Sequence, residues 1–176
     1  MNIVETIQKF FQKNALKKCV RSEQTLLSIK EIHTVTVVLD VEDAQFNDCK
    51  EDIAAFFRGY DIRPEFFFFD FRKLEKNELL LTSIQNTILR KDLNWFGMPS
   101  QEKVNLITGK PCDLFISLAT RPSFANEYFS TFVNARFKIG RVDVGEKVFD
   151  MVISGEGYTG RQIFAKMQEF LLKIEK

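Results

Sequence analysis

Two aspartates, Asp40 and Asp70, close apolar runs that read as strands. If those strands are neighbours, a pair of carboxylates at one sheet edge is raw material for general acid–base catalysis, although strand-end aspartates also start turns and cap helices. A further strand-like run ends in Thr120-Arg121-Pro122-Ser123. There the free amides at the start of a helix, the Ser123 hydroxyl and the Arg121 guanidinium can converge on a phosphate or carboxylate; the simpler roles are a helix cap for Ser123 and a solvated cation for Arg121. Gly155-Glu156-Gly157-Tyr158-Thr159-Gly160 satisfies the letters of the dinucleotide fingerprint between a strand and a helix. That fingerprint belongs at a first βα turn, with an acidic residue ~20 residues on. The sequence runs only to Lys176, and the preceding strand is expected to be reversed, so a flexible turn with a helix cap is the expected use.

Other chemistries have little material. His33 is the single histidine, so a His-rich zinc site is impossible and a Ser-His-Asp arrangement would rest on that residue alone. Cys19, Cys49 and Cys112 are odd in number and widely spaced, which speaks against a disulfide framework and for buried or incidental thiols. No Walker loop, HExxH, GxSxG or EF-hand pattern occurs. The expectation is therefore no catalytic constellation, no metal and no cofactor. The candidate ligand-binding residues are Asp40, Asp70, Thr120, Arg121 and Ser123.

These residues must be positioned by a small protein. At 176 residues, with 25 basic and 24 acidic side chains, the chain suits one globular domain, and its charge balance and apolar phenylalanines argue against a nucleic-acid surface. Residues 1 to about 21 carry Ile3, Val4, Ile7, Phe10 and Phe11 at helical spacing, beside Lys9, Lys13, Lys17 and Arg21 at every fourth position. Residues 1–30 hold six basic against two acidic side chains, so this amphipathic extension either packs on the domain or touches an anionic membrane surface or a partner's groove. The N-terminus lacks the apolar core of a signal peptide and no stretch is long enough to span a bilayer, so residence in the cytoplasm is expected.

Thr34 to Val41 reads as a central strand, followed by a helix over about Ala44–Phe57 capped by Asp43, and then by the phenylalanine-rich strand at Pro64–Phe71. Residues 73–92 lean to a helix, and Asp92–Gly97 to a short strand, with a loop or short helix on to Lys110. Asp113–Ala119 is the clearest later strand, and Ser123 caps the helix after it. Residues 137–142 and 148–153 read as strands with too short a link for a crossover helix, so they are expected to run antiparallel. A helix from Arg161 to about Ile174 opens on a capping box at Thr159-Gly160-Arg161-Gln162. The sum is a three-layer, Rossmann-like α/β domain over 1–176. Its mostly parallel sheet has five or six strands and an antiparallel edge strand, with the N-terminal helix packed across it.

Pro111-Cys112-Asp113-Leu114-Phe115-Ile116-Ser117-Leu118-Ala119 through Ala135-Arg136-Phe137-Lys138-Ile139-Gly140-Arg141 resembles a strand-helix-strand unit in the acceptor-side half of heptosyltransferase-type glycosyltransferases. The likeness covers about thirty residues and implies a ligand crevice near Thr120 and Arg121, without implying catalysis, because the donor half has no counterpart here. Over most of its length, including Asn94-Trp95-Phe96-Gly97-Met98-Pro99, the chain is similar to a small uncharacterised family of bacterial α/β proteins. The expected function is a non-catalytic interaction or ligand-binding module, taking a protein partner or a small phosphorylated ligand. The competing expectation is a small transferase-like enzyme using the crevice at the carboxyl ends of the parallel strands.

Overall fold

The computed structural model describes residues 3–17, 25–74 and 78–174. The β-branched and aromatic runs become strands β1 Val35–Asp40, β2 Glu65–Asp70, β3 Thr87–Leu89, β4 Cys112–Leu118, β5 Ala135–Gly140 and β6 Met151–Val152. They form one six-stranded sheet in the order β3-β2-β1-β4-β5-β6, and every pairing is parallel. All of β1 is buried, as a central strand covered on both faces must be.

The helices are α1 Ile3–Leu16, α2 Phe46–Arg58, α3 Gln101–Thr108, α4 Phe124–Phe132 and α5 Gly160–Lys173. Alternation along the strands divides the core. Val37, Leu39 and Ile116 meet Ile53 and Phe57 of α2 and Phe164 and Met167 of α5 on one face. Val38, Phe67, Phe69 and Phe115 meet Val104 of α3 and Phe129 of α4 on the other. Each fully buried phenylalanine stabilises this sandwich by about 2–3 kcal/mol. The chain leaves β1 toward β2 and leaves β4 toward β5 in opposite directions across the sheet. Right-handed crossovers therefore place α2 and α4 on opposite faces, which produces the three layers.

The edge differs from expectation, because β6 is parallel to β5, with Ile139 opposite Met151 and Gly140 opposite Val152. The strands are shorter than the apolar runs suggest, which frees residues 141–150 for the return. That segment crosses the sheet without a helix, laying Val144, Val148 and Phe149 onto the α3/α4 face. Residues 73–92 are not a helix. Their described part is loop, a 3₁₀ turn at Ile84–Asn86, strand β3 and a second 3₁₀ turn at Arg90–Asp92. Asn86 Nδ2 donates to Phe66 O at 3.1 Å and Thr87 Oγ1 to Ser83 O at 2.6 Å, so side chain–backbone bonds replace helical ones.

Residues 92–97 form a turn closed by an isolated Leu93–Pro99 bridge, not a strand. Asn94 Oδ1 accepts from Phe96 N and Met98 N, and Gly97 adopts a positive φ of 79° that a β-branched residue would resist. Helix α1 stops at Leu16, and none of its residues is buried. It does not pack across the sheet but docks beside α4 and on the 94–97 turn. Gln8 and Gln12 donate to the carbonyls of Trp95 and Phe96 at 3.0 and 2.7 Å, and the Phe11 ring stacks on Phe96. Cys19 and Arg21 lie outside the described residues. Among the described residues no helix is long and apolar enough to cross a membrane.

Gly140 is where the helix-free return meets the sheet. A Cβ there would intrude on the Phe149 ring, so Gly140→Ala is expected to lower the unfolding free energy by about 1–3 kcal/mol in a urea titration. Phe149→Leu should relieve part of that loss. A silent Gly140→Ala would contradict this packing.

Candidate functional site

In a sheet of this order, ligands ordinarily bind beyond the carboxyl ends of the strands, where the winding direction reverses. That point lies between β1 and β4. Here the polar tips bond to one another. Asp40, only 7% exposed, accepts through Oδ1 from Glu42 N at 3.0 Å and through Oδ2 from Thr120 N at 3.1 Å and, closer still, Thr120 Oγ1. Arg121 is well exposed and its guanidinium sits 3.2 Å from Glu42 Oε1. Ser123 caps α4, accepting from Asn126 N at 3.2 Å. Among the five candidates, Asp40 and Thr120 are thus joined directly, Arg121 lies one ion pair away, and Ser123 acts as a cap.

Asp70 stands apart from them. Although β1 and β2 are neighbours, Asp40 is in register with Phe69. Phe66 and Phe68 of β2 pack on the α2/α5 face, whereas Phe67 and Phe69, with Val38 of β1, pack on the other. By that alternation Asp70 and Asp40 belong to opposite faces, so no carboxylate pair forms. Asp70 is fully buried and holds Arg72 in a two-pronged pair, Nε to Oδ1 and Nη2 to Oδ2 both at 2.8 Å. Its hydrogen bond raises the pKa of the guanidinium further.

The glycine-rich turn before α5 lies at this same rim, because β6 is parallel and delivers its helix to the ligand-facing end of the sheet. Its anion seat is filled from within. Asp43 Oδ2 accepts from Gly160 N at 2.8 Å and from Arg141 Nη1 at 2.6 Å, while Arg141 Nη2 donates to Tyr158 O. A carboxylate at a helix N-terminus does there what a phosphate would do. The expected cap of α2, Asp43, instead supports the turn before that helix through Gln45 N at 3.2 Å, while Gln45 occupies the cap position without a side-chain capping bond, its Oε1 accepting from Thr159 Oγ1 at 3.1 Å. The capping box at Thr159 and Gln162 forms as expected. The first βα turn, where dinucleotide folds place their glycines, instead presents Glu42 and Asp43 beside Asp40, a poor surface for pyrophosphate.

An open concavity lies one strand over. A cavity of about 500 Å³ beyond β2 and β3 has Leu74, Leu80, Ile84 and Leu89 among its walls, with Arg72, Lys73, Arg90 and Lys91 against Asp70 and Glu78. Arg72, two residues after Asp70, is not among the candidates that the sequence singles out. The basic pairs at 72–73 and 90–91 were the available signal, hidden because 73–92 was read as one helix. Lys138 was also missed: only 4% exposed, it donates from Nζ to the carbonyls of Ser130 and Thr131, closing the C-terminus of α4.

The thiols of Cys49 and Cys112 are poor nucleophiles. Burial, then the charges of Asp43 and Asp52, push the Cys49 thiol up to about 12. Burial also raises that of Cys112. His33 is exposed, and its backbone N–H donates to Asp113 Oδ2 at 2.9 Å. Among the described residues no group of three or more His, Cys, Asp or Glu could hold a metal ion.

Residues 5–174 match a family described as being of unknown function, DUF6913. No curated protein and no solved structure matches the chain.

Asp43 and Arg141 are both largely buried, so removing one strands the other. Asp43→Ala is expected to cost about 3–5 kcal/mol in denaturant unfolding, partly regained in the Asp43→Ala/Arg141→Met double variant. A loss under about 1 kcal/mol would mean that the pair behaves as a surface bridge. In a Cys19→Ser background, an aromatic disulfide reagent should label Cys49 and Cys112 only after unfolding; rapid native labelling would contradict their assignment as inert.

Proposed function

The chain belongs to DUF6913, a family of unknown function, and we propose that it is a non-catalytic ligand-binding module whose ligand enters the cavity beyond β2 and β3, not the crevice between β1 and β4. The observation that carries this reading is the lining of that cavity. Leucine and isoleucine side chains form apolar wall, and Arg72, Lys73, Arg90 and Lys91 outnumber Asp70 and Glu78 around it. Such a lining suits an anionic group on an apolar body, for example a phosphate monoester or carboxylic acid with an alkyl tail. The volume of about 500 Å³ is that of ordinary small-molecule sites.

Arg72 is held in place by Asp70 before any ligand arrives, which lowers the ordering cost of binding. Lys73, Arg90 and Lys91 are exposed and have no ion pair among the described residues. They are the cations available to a ligand. A transferase-like enzyme at the switch point would need an unengaged base facing its acceptor, whereas Asp40 is committed to Thr120 and Glu42 N, and Asp70 to Arg72. Free, buried Cys49 and Cys112 suit a reducing compartment, in keeping with residence in the cytoplasm.

Thermal unfolding with octyl phosphate, decanoate, inorganic phosphate and ATP tests the proposal. The two amphipathic anions should stabilise the protein, by about 2.7 kcal/mol at a hundred times their Kd, and inorganic phosphate and ATP should not. Arg90→Glu with Lys91→Glu should abolish the effect and Arg121→Ala should leave it intact. Stabilisation by ATP that vanishes in Arg121→Ala would move the site back to the switch point and overturn the proposal.

A further inference from the structure

We propose that the outer face of α1, together with the 94–97 turn, docks this protein onto an anionic lipid surface. The inference is independent of the cavity beyond β2 and β3 and rests on different residues.

Helix α1 turns two of its polar side chains inward. Gln8 and Gln12 bond to the carbonyls of the 94–97 turn, while Ile3, Ile7 and Phe10, at helical spacing, are left in solvent. Phe10 is 63% exposed and Trp95 58%. They are ends of one aromatic run: Phe10 lies edge-on to Phe11 at 5.9 Å, Phe11 stacks on Phe96 at 5.6 Å, and Trp95 lies edge-on to Phe96 at 5.1 Å. Single exposed apolar residues are unremarkable, but a contiguous aromatic and aliphatic patch spanning two elements marks a contact surface. The Asn94-centred bonds and the positive φ of Gly97 hold Trp95 at the tip of a tight turn. Tryptophan, with an apolar ring and a polar N–H, favours the level of lipid headgroups.

Charge identifies the occupant. Lys9, Lys13 and Lys17 run along the helix flank, all exposed and with no ion pair among the described residues, and Glu5 is the one acid in residues 3–17. With the apolar stripe seated at the headgroup boundary, these lysines lie at the level of the phosphates. A second copy of the chain fits less well, since a two-fold contact through this face would bring two lysine rows together.

Trp95 is the sole tryptophan, so its emission reports the contact directly. The full chain is mixed with vesicles of phosphatidylcholine alone and of phosphatidylcholine with phosphatidylglycerol, and binding is followed by Trp95 emission and co-sedimentation. The expected result is a blue shift and co-sedimentation with the anionic vesicles only, reversed by high salt. Phe10→Ser should weaken binding roughly tenfold, and Lys9→Gln, Lys13→Gln and Lys17→Gln together roughly a hundredfold. All four positions are exposed, and circular dichroism verifies that the variants fold. Unchanged emission and no co-sedimentation of the wild type would overturn the proposal, as would equal binding to neutral vesicles. A salt-resistant dimer that Phe10→Ser dissociates, in a protein that ignores vesicles, would overturn it in favour of self-association.

Discussion

Internal carboxylates fill the positions where a fold of this topology would receive an anion. Asp43 takes the amide of Gly160 at the start of α5 and the guanidinium of Arg141, and Asp40 takes both donors of Thr120. These bonds tie the turn after β1 to the ends of β4, β5 and β6, closing the ligand-facing rim at its centre. A phosphate seated there would have to displace a buried carboxylate and find other partners for Arg141, which is energetically far worse than binding at an open edge. The strand order of a dinucleotide-binding sheet is therefore present without its cradle. Architecture alone is a poor guide to activity here.

The neighbouring edge lacks such a closure. Between β2 and β3 the described part of the connection is loop and one 3₁₀ turn, with no α-helix, and a concavity lies uncovered at the strand ends. Asp70 shows how local chemistry serves that concavity. Being fully buried, it requires a partner, and by pairing in two-pronged fashion with Arg72 it fixes a cation at the cavity wall. Helix α1 lies outside this economy altogether, attached through glutamine side chains and one aromatic stack and keeping most of its apolar surface in solvent.

Much of the layering was legible in the sequence because it depends on local periodicity. The nearly continuous apolar character of Val35–Leu39, broken only by Thr36, and the run Phe66–Phe69 announce strands covered on both sides, and Ser123 and Thr159 mark helix starts through their side-chain oxygens. Strand direction at the far edge was not legible. Direction there turns on whether residues 141–150 can cross a sheet without a helix, which depends on the gap that Gly140 leaves for Phe149. Residues 73–92 mislead because their leucines and isoleucines fit helical spacing, while Asn86 and Thr87 win by bonding to the backbone. At the site, residue types at strand ends pointed to the carboxyl-end rim of the sheet, and the likeness to the heptosyltransferase-type unit pointed to Thr120 and Arg121. Whether those groups are free is a long-range question that depends on Asp40 and Glu42, some eighty positions away, and no local pattern carries it.

Amide chemical-shift mapping during a titration with octyl phosphate tests the central claim most directly, because it locates the ligand without altering any residue. Perturbations concentrated at residues 72–74 and 84–91, with 118–123 and 155–160 unmoved, are the predicted result. Perturbations centred on Thr120, Arg121 and Gly160 would show that the carboxylate ties yield to an incoming anion and would contradict the account.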